Sequence, residues 1–347
     1  MCVAIYSVRF IFVMIVLFLS LTYQSLYYTD GFLYDLSMLL KSLLLPLALL
    51  FFVKNKNSIG INAKLIIERV FLITFVMISV NVLLGLLNIG YTTYGSNLIS
   101  SGNGHGFKGF VFAGNELGAL LLVTYPAVVT FFKERGFIQL SLINIIYVLV
   151  SILIGTKTAM FGIILLVAYN FYSINDKAKF KIVIVMLFLS FLSYFLYLNL
   201  SFIENYYDRF MFFYEKNGYL FLIFSGRYEF LREVILFVDY NYNIFDYIFG
   251  IGASYANNNF KSVEIDFFDL FVWHGIIWCI IVYISFVYIM FHVARNDKEK
   301  QCLFMFVILL LVSSLAGHVL TSAMITPLLA LYFPYFYNDK SISKYKS

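Results

Sequence analysis

The chain has 347 residues, of which 62% are hydrophobic, 20% aromatic and only 12% charged, with a net charge of +5 and a mean hydropathy of +0.88. Soluble domains carry about a quarter charged residues, so this balance excludes a soluble enzyme and points to a protein that crosses the membrane many times. The alternating polarity of a barrel strand is absent, and no basic face suited to nucleic acid is present.

A spanning helix needs about 20 mostly apolar residues. Windows of that kind fall at 10–28, 32–53, 69–90, 110–132, 137–154, 157–173, 181–200, 267–291, 302–320 and 322–337. They predict an all-α integral membrane protein of about ten transmembrane helices, forming one polytopic domain over 1–347. The first window is too long for a signal h-region and lacks a small-residue exit, so it reads as the first span. Cys2 precedes that span, and Cys279 and Cys302 lie in or beside separate ones, which suggests neither a disulfide framework nor a metal knuckle. Lys41 stands inside the second window. The stretch GFVFAGNELGALLLVTYPAVV, 109–129, holds Asn115 and Glu116 near one end of the fourth. A charge in hydrocarbon costs at least a few kcal/mol and marks a functional site by default. Pairing of Lys41 with Glu116 at similar depth is one expectation, and snorkelling of the lysine is the other. The last window is short and broken by Pro327 and Pro334.

With the N-terminus inside, Lys54, Lys56, Lys64, Lys133, Arg135, Lys177, Lys179, Lys181, Arg295, Lys298 and Lys300 all fall in short inside segments. That positive-inside bias predicts a multi-pass protein of the cytoplasmic membrane with both termini cytoplasmic. Two outer connections are long. Residues 91–109, YTTYGSNLISSGNGHGFKG, are rich in Gly, Ser and Asn and read as irregular. Residues 201–266 form a long extracytoplasmic loop whose aromatic content favours packing on the membrane surface. Within it, SGRYEFLREVILFV (225–238) has helical periodicity. Phe230, Leu231, Val234, Ile235, Phe237 and Val238 share one face, with Glu229, Arg232 and Glu233 opposite. Arg227 falls on the apolar face, which is anomalous for an arginine. The stretch FGIGASYANNNF, 249–260, reads as a turn cluster leading to Glu264, Asp266 and Asp269 before the eighth span.

The polar residues thus collect at the outer face. Lys108, Asn115 and Glu116 open the fourth span, and Lys157 sits between the fifth and sixth. Arg227 and Arg232 lie in the loop helix, Glu264, Asp266 and Asp269 before the eighth span, and His318 at the end of the ninth. Each has a plain structural reading: a helix start favoured by its dipole, a snorkelling lysine, a headgroup anchor, a solvated loop end or a hydrogen-bonded bundle histidine. Together they suit a phosphate-bearing lipid. Lys157 and Arg227 are cations for a diphosphate, while Glu264 or His318 is a base for a hydroxyl. Lys108, Asn115, Glu116, Asp266, Asp269 and Arg232 are candidate substrate contacts. There is no Walker motif and no D-x-D metal pair, so no cofactor is implied.

The ordered motifs GFVFAGNELGALL, IGTKTAM, SGRYEFL and FGIG…VEIDFFDLFVWHGIIW resemble the O-antigen polymerase (Wzy-type) and O-antigen ligase superfamily, most closely its capsular and surface polysaccharide polymerases. The resemblance implies a metal-independent bacterial glycosyltransferase that moves glycan from an undecaprenyl-diphosphate oligosaccharide to an acceptor hydroxyl. In ligases of this superfamily two arginines hold the diphosphate. Lys157 takes the position of the first and Arg227 that of the second. The ligase histidine lies eleven residues before a glycine, and counting back from Gly275 reaches Glu264. Trp278 stands where ligases have a second glycine. The leading expectation is a polysaccharide polymerase, and the alternatives are a ligase and a flippase of lipid-linked oligosaccharide. Expected partners are the polyprenyl-diphosphate oligosaccharide, the lipid bilayer, a chain-length regulator and a flippase, with no nucleic acid.

Overall fold

A computed structural model describes residues 2–28, 31–56, 62–87, 89–94, 105–111, 113–173, 211, 214–215, 218, 226–297, 300–315 and 317–337. The expected seventh span, 181–200, and the first part of the long loop lie outside these residues. The protein is an all-α membrane protein. Helices α1 (Cys2–Tyr27), α2 (Phe32–Lys54), α3 (Ala63–Leu86), α4 (Gly114–Lys133), α5 (Phe137–Ile154) and α6 (Lys157–Ser173) follow the first six apolar windows. The loop then supplies α7 (Arg227–Asn241), α8 (Ile244–Phe249) and α9 (Ala253–Asn259), and the chain closes with α10 (Asp266–Asn296), α11 (Gln301–Leu315) and α12 (Thr326–Tyr337). Six of these, α1–α5 and α10, are long and apolar enough to cross a membrane.

Helix α4 is the axis of the bundle. Every residue from Leu117 to Val129 is buried, because α4 is apolar on all sides and α3, α5, α6 and α11 pack around it. Its few polar groups are satisfied internally. Tyr125 donates to Asn144 Oδ1 at 2.5 Å, and Tyr147 bonds the Thr124 hydroxyl at 3.1 Å. The outer helices leave large apolar side chains such as Phe18, Leu33 and Ile73 exposed, as lipid contact requires.

Four sequence expectations are corrected. Residues 91–109 are not wholly irregular: β1 (Tyr91–Tyr94) and β2 (His105–Gly109) pair antiparallel, with Tyr91 opposite Gly109 and Thr92 opposite Phe107. The hairpin is pinned to the bundle through side-chain bonds to backbone. Asn81 donates to the Lys108 carbonyl at 2.8 Å and accepts from the Phe110 amide at 2.9 Å, and Thr93 donates to the Ile154 carbonyl at 2.7 Å. The turn cluster at 249–260 contains the short helix α9, whose Ser254 amide and hydroxyl both donate to buried Asp35 at 2.6 Å. The ninth window ends early: α11 stops at Leu315, residues 317–325 form non-helical backbone, and the tenth window shrinks to the twelve-residue α12. Finally, α10 is not continuous.

That break lies at Gly275, whose φ of 79° and ψ of 176° leave helical space. A continuous helix would pair the Val272 and Trp273 carbonyls with amides one turn ahead. Here the Ile251 and Gly252 amides take them at 3.0 and 3.1 Å, and Gln24 Nε2 reaches both Trp273 O and Phe249 O. Only glycine fits, since a Cβ would stand 2.1 Å from the Ile248 carbonyl oxygen. Gly275→Ala is expected to destabilise the fold by about 3 kcal/mol or more, from left-handed strain plus the clash. Thermal unfolding in detergent would register this as a large drop in midpoint.

Candidate functional site

The hairpin packs on the ends of α3 and α5, and expected polar residues gather beside it from the starts of α4 and α10 and the segment after α11. Between hairpin, α4 and the segment after α11 lies a cavity of about 530 Å³, lined by Tyr91, Thr93, Lys108, Phe110, Ala113, Gly114, Asn115, Glu116, Glu264, Gly317 and His318. Five expected site residues therefore meet in one space: Lys108, Asn115, Glu116, Glu264 and His318.

Arg227 begins α7 and is nearly fully buried, as its place on the apolar face foretold. Its guanidinium bonds Glu264 Oε2 at 2.6 Å, with the arginine side chain 8% exposed and the glutamate 42% exposed. The pair thus joins the loop helix to the cavity wall. Glu264 holds a φ of 58°, left-handed backbone that costs a residue other than glycine about 1–2 kcal/mol. The Arg227 Nε is buried and has no partner among the described residues.

Asp266 and Asp269 open α10 behind His318. Asp266 is fully buried and accepts from the Val319 and Leu320 amides at 2.8 and 2.9 Å and from the Thr321 hydroxyl at 3.2 Å. Asp269 accepts from the Ser262 hydroxyl at 2.9 Å and the Val263 amide at 3.0 Å. These bonds satisfy backbone that has left the helix, which hydrocarbon otherwise forbids. They also set His318. Its Nδ1 lies 3.9 Å from Asp266 Oδ1 and 3.7 Å from Asp269 Oδ2, and its ring stacks on Trp273 with centroids 5.9 Å apart. Both carboxylates stand beyond hydrogen-bond distance of Nδ1, which is buried without a partner among the described residues, so they act on the ring through charge alone.

Glu116 does not pair with Lys41. Its carboxylate accepts from the Ser322 hydroxyl at 2.6 Å, while Lys41 is exposed on α2 and contacts the sulfur of Met38 at 3.9 Å. The acid that seemed costly in the fourth span thus ties α4 to the irregular segment after α11. Asn115, beside it, packs near Gly317 and makes no hydrogen bond among the described residues. Lys157 is exposed at the start of α6, outside the cavity lining. Arg232 is exposed on α7, also away from the lining.

Sequence reasoning missed Tyr91, Thr93 and Phe110 as cavity residues, because the hairpin was read as irregular. The signal was present: YTTY and HGFKGF are aromatic and β-branched runs flanking a Gly/Ser/Asn cluster, the pattern of strand, turn and strand.

The fold and cavity define a multi-pass membrane protein with a polar, charged cavity at one end. The model of the family described as "O-antigen ligase like membrane protein" matches residues 4–200, more than half of the chain, and the chain belongs to that family. This makes it a membrane enzyme of polysaccharide assembly. No curated protein and no solved structure matches it. The matched segment includes Lys108, Asn115, Glu116 and Lys157, while Arg227, Glu264 and His318 lie beyond it.

Asp266→Ala is expected to cost about 3 kcal/mol, since three buried donors would lose their acceptor, and Asp266→Asn markedly less. Unfolding midpoints of the two variants in detergent measure the difference.

Proposed function

We propose that the protein is a polysaccharide polymerase of the bacterial cytoplasmic membrane. It takes a polyprenyl-diphosphate-linked oligosaccharide at the outer face and transfers its glycan to the hydroxyl of an acceptor repeat unit. The observation that carries this reading is one cavity lined by Lys108, Asn115, Glu264 and His318, with Arg227 bonded to Glu264 behind its wall. Both termini are then cytoplasmic and the hairpin end faces outward, in keeping with the placement of basic residues.

The donor diphosphate has more negative charge than one carboxylate, so it displaces Glu264 from Arg227, whose planar guanidinium binds two phosphate oxygens at once. Lys108, on the cavity wall, fits the second cation better than Lys157, which lies outside the lining. Of the two candidate bases, His318 is the better placed. Glu264 is engaged by Arg227 in the resting site, whereas His318 borders the cavity with two aspartate carboxylates within 4 Å of its Nδ1. The acceptor hydroxyl oxygen attacks the anomeric carbon of the donor as that carbon's bond to the diphosphate oxygen breaks. The hydroxyl proton passes to His318 Nε2, and the electron pair leaves with the polyprenyl diphosphate, its charge met by Arg227 and Lys108. Asp266 and Asp269 stabilise the imidazolium that forms. No cofactor takes part in this scheme, and the cations supply the charge neutralisation that a metal provides elsewhere.

The test reconstitutes the protein in liposomes with its authentic lipid-diphosphate repeat unit and resolves the products on a gel. A ladder at repeat-unit spacing is expected. Unchanged substrate, under conditions in which another polymerase extends its own donor, would overturn the reading, and acceptor-addition and flipping assays would then separate a ligase from a transporter. With the ladder in hand, Arg227→Ala should abolish polymer without loss of membrane-inserted protein. His318→Ala should lower kcat by roughly a hundredfold or more, the usual contribution of a general base.

A further inference from the structure

The site has an unexplained half. Arg227, Glu264, Lys108 and His318 account for a diphosphate and a proton, while nothing so far accounts for Tyr91, Phe110 and Asn115. Tyr91 and Phe110 both border the cavity and are 44% and 65% exposed, unusual for large aromatics placed on a pinned hairpin. The pinning is firm: Asn81 holds the backbone on both sides of Gly109, the residue between Lys108 and Phe110, and Thr93 is tied to the end of α5. The two rings are therefore presented by a rigid frame rather than by a loose loop. Asn115, on the first turn of α4, brings a half-buried amide to the same cavity with neither its oxygen nor its nitrogen engaged among the described residues. Asn115 also packs beside Gly317, the neighbour of His318.

From this we infer that Tyr91, Phe110 and Asn115 form the subsite for the acceptor sugar. The inference rests on the glycan-transfer reading above and adds where the acceptor sits. A pyranose has an apolar face of C–H groups that packs on an aromatic ring, and a rim of hydroxyls that both donate and accept. An aromatic lip with one free amide matches both features, since an amide offers donor and acceptor to adjacent hydroxyls. Closeness of Asn115 to the His318 segment puts the bound sugar's hydroxyl beside the base, with Arg227 behind Glu264 and Lys108 on the hairpin beside Phe110 to meet the diphosphate. The competing account is that the two rings anchor the hairpin in the membrane interface, where tyrosine and other aromatics are common.

The experiment uses the full chain in lipid nanodiscs. The probe is the repeat-unit oligosaccharide released by mild acid from the lipid-linked glycans of the cell that makes the protein. Binding is followed by saturation-transfer NMR and, in the polymerisation assay, by the acceptor KM. The variants are Tyr91→Leu with Phe110→Leu, which keep apolar bulk for an interface but remove the ring faces, Asn115→Ala, and the aromatic-conserving Phe110→Trp. Expected are transfer to the sugar ring protons in the native protein and about tenfold weaker binding in the double leucine variant. A KM rise with little change in kcat should accompany it, as should a smaller loss in Asn115→Ala and near-native binding in Phe110→Trp. Native-like binding by the leucine variant would overturn the subsite in favour of interface anchoring. So would absence of oligosaccharide binding by the native protein at millimolar probe. Binding with the expected variant pattern but no polymer would leave the subsite standing and defeat the polymerase reading, so the two fail separately.

Discussion

The break in α10 at Gly275 is the constraint on which the architecture depends. A helix that stops being a helix inside a bilayer leaves carbonyls that no water can satisfy, and each unsatisfied group costs several kcal/mol. The Ile251 and Gly252 amides and Gln24 of α1 take those carbonyls, so the break docks the loop helices onto the bundle. Docking the loop fixes the approach of the chain to α10, and hence Glu264, Asp266 and Asp269. Through Asp266 it also fixes the irregular segment that carries His318.

Buried acids repeat the same solution at other points. Asp35 receives the first turn of α9, Asp246 receives Tyr23, Tyr28 and the Asn243 amide, and Asp266 receives two amides and a hydroxyl. The Tyr28 phenol is held well above its ordinary range by burial and by this carboxylate. Among the described residues none of these acids accepts a hydrogen bond from a basic side chain, although His318 lies 3.9 Å from Asp266. Each takes hydrogen-bond donors from backbone or hydroxyl groups, which meets an anion's need in low dielectric without a second charge to desolvate. At the cavity a charge pair does form, between Arg227 and Glu264, on a residue whose own backbone is strained. Strain and a displaceable ion pair at one point are features of a working surface rather than of a scaffold.

The site divides along the same line. Asp266 and Asp269, set by buried bonds, hold backbone in place, and the half-exposed Glu116, Glu264, His318, Lys108 and Asn115 face the cavity. The cavity thus joins a lysine and two aromatic rings of the hairpin to the amide of α4 and the acid and histidine of the segments before α10 and after α11.

The sequence by itself determined the membrane class, the existence of the first six helices with close bounds for α2, α4, α5 and α6, the α7 helix and the anomaly of Arg227, because hydrophobic length and period are local properties of the chain. It also marked Glu116 as a charge in an unusual place and Glu264 and His318 as candidate bases at the outer face. Only the tertiary structure decided what each was for. Glu116 bonds Ser322 rather than Lys41, and Asp266 serves amides more than fifty residues away; no spacing in the chain encodes either contact. The interruption of α10 was equally hidden, since HGIIW reads as ordinary helix until the Ile248 carbonyl arrives from the loop to occupy the space where a Cβ would stand. The hairpin lay between these extremes: its strands were written in YTTY and HGFKGF, but their value depended on anchors to α3 and α5 that only folding brings within reach.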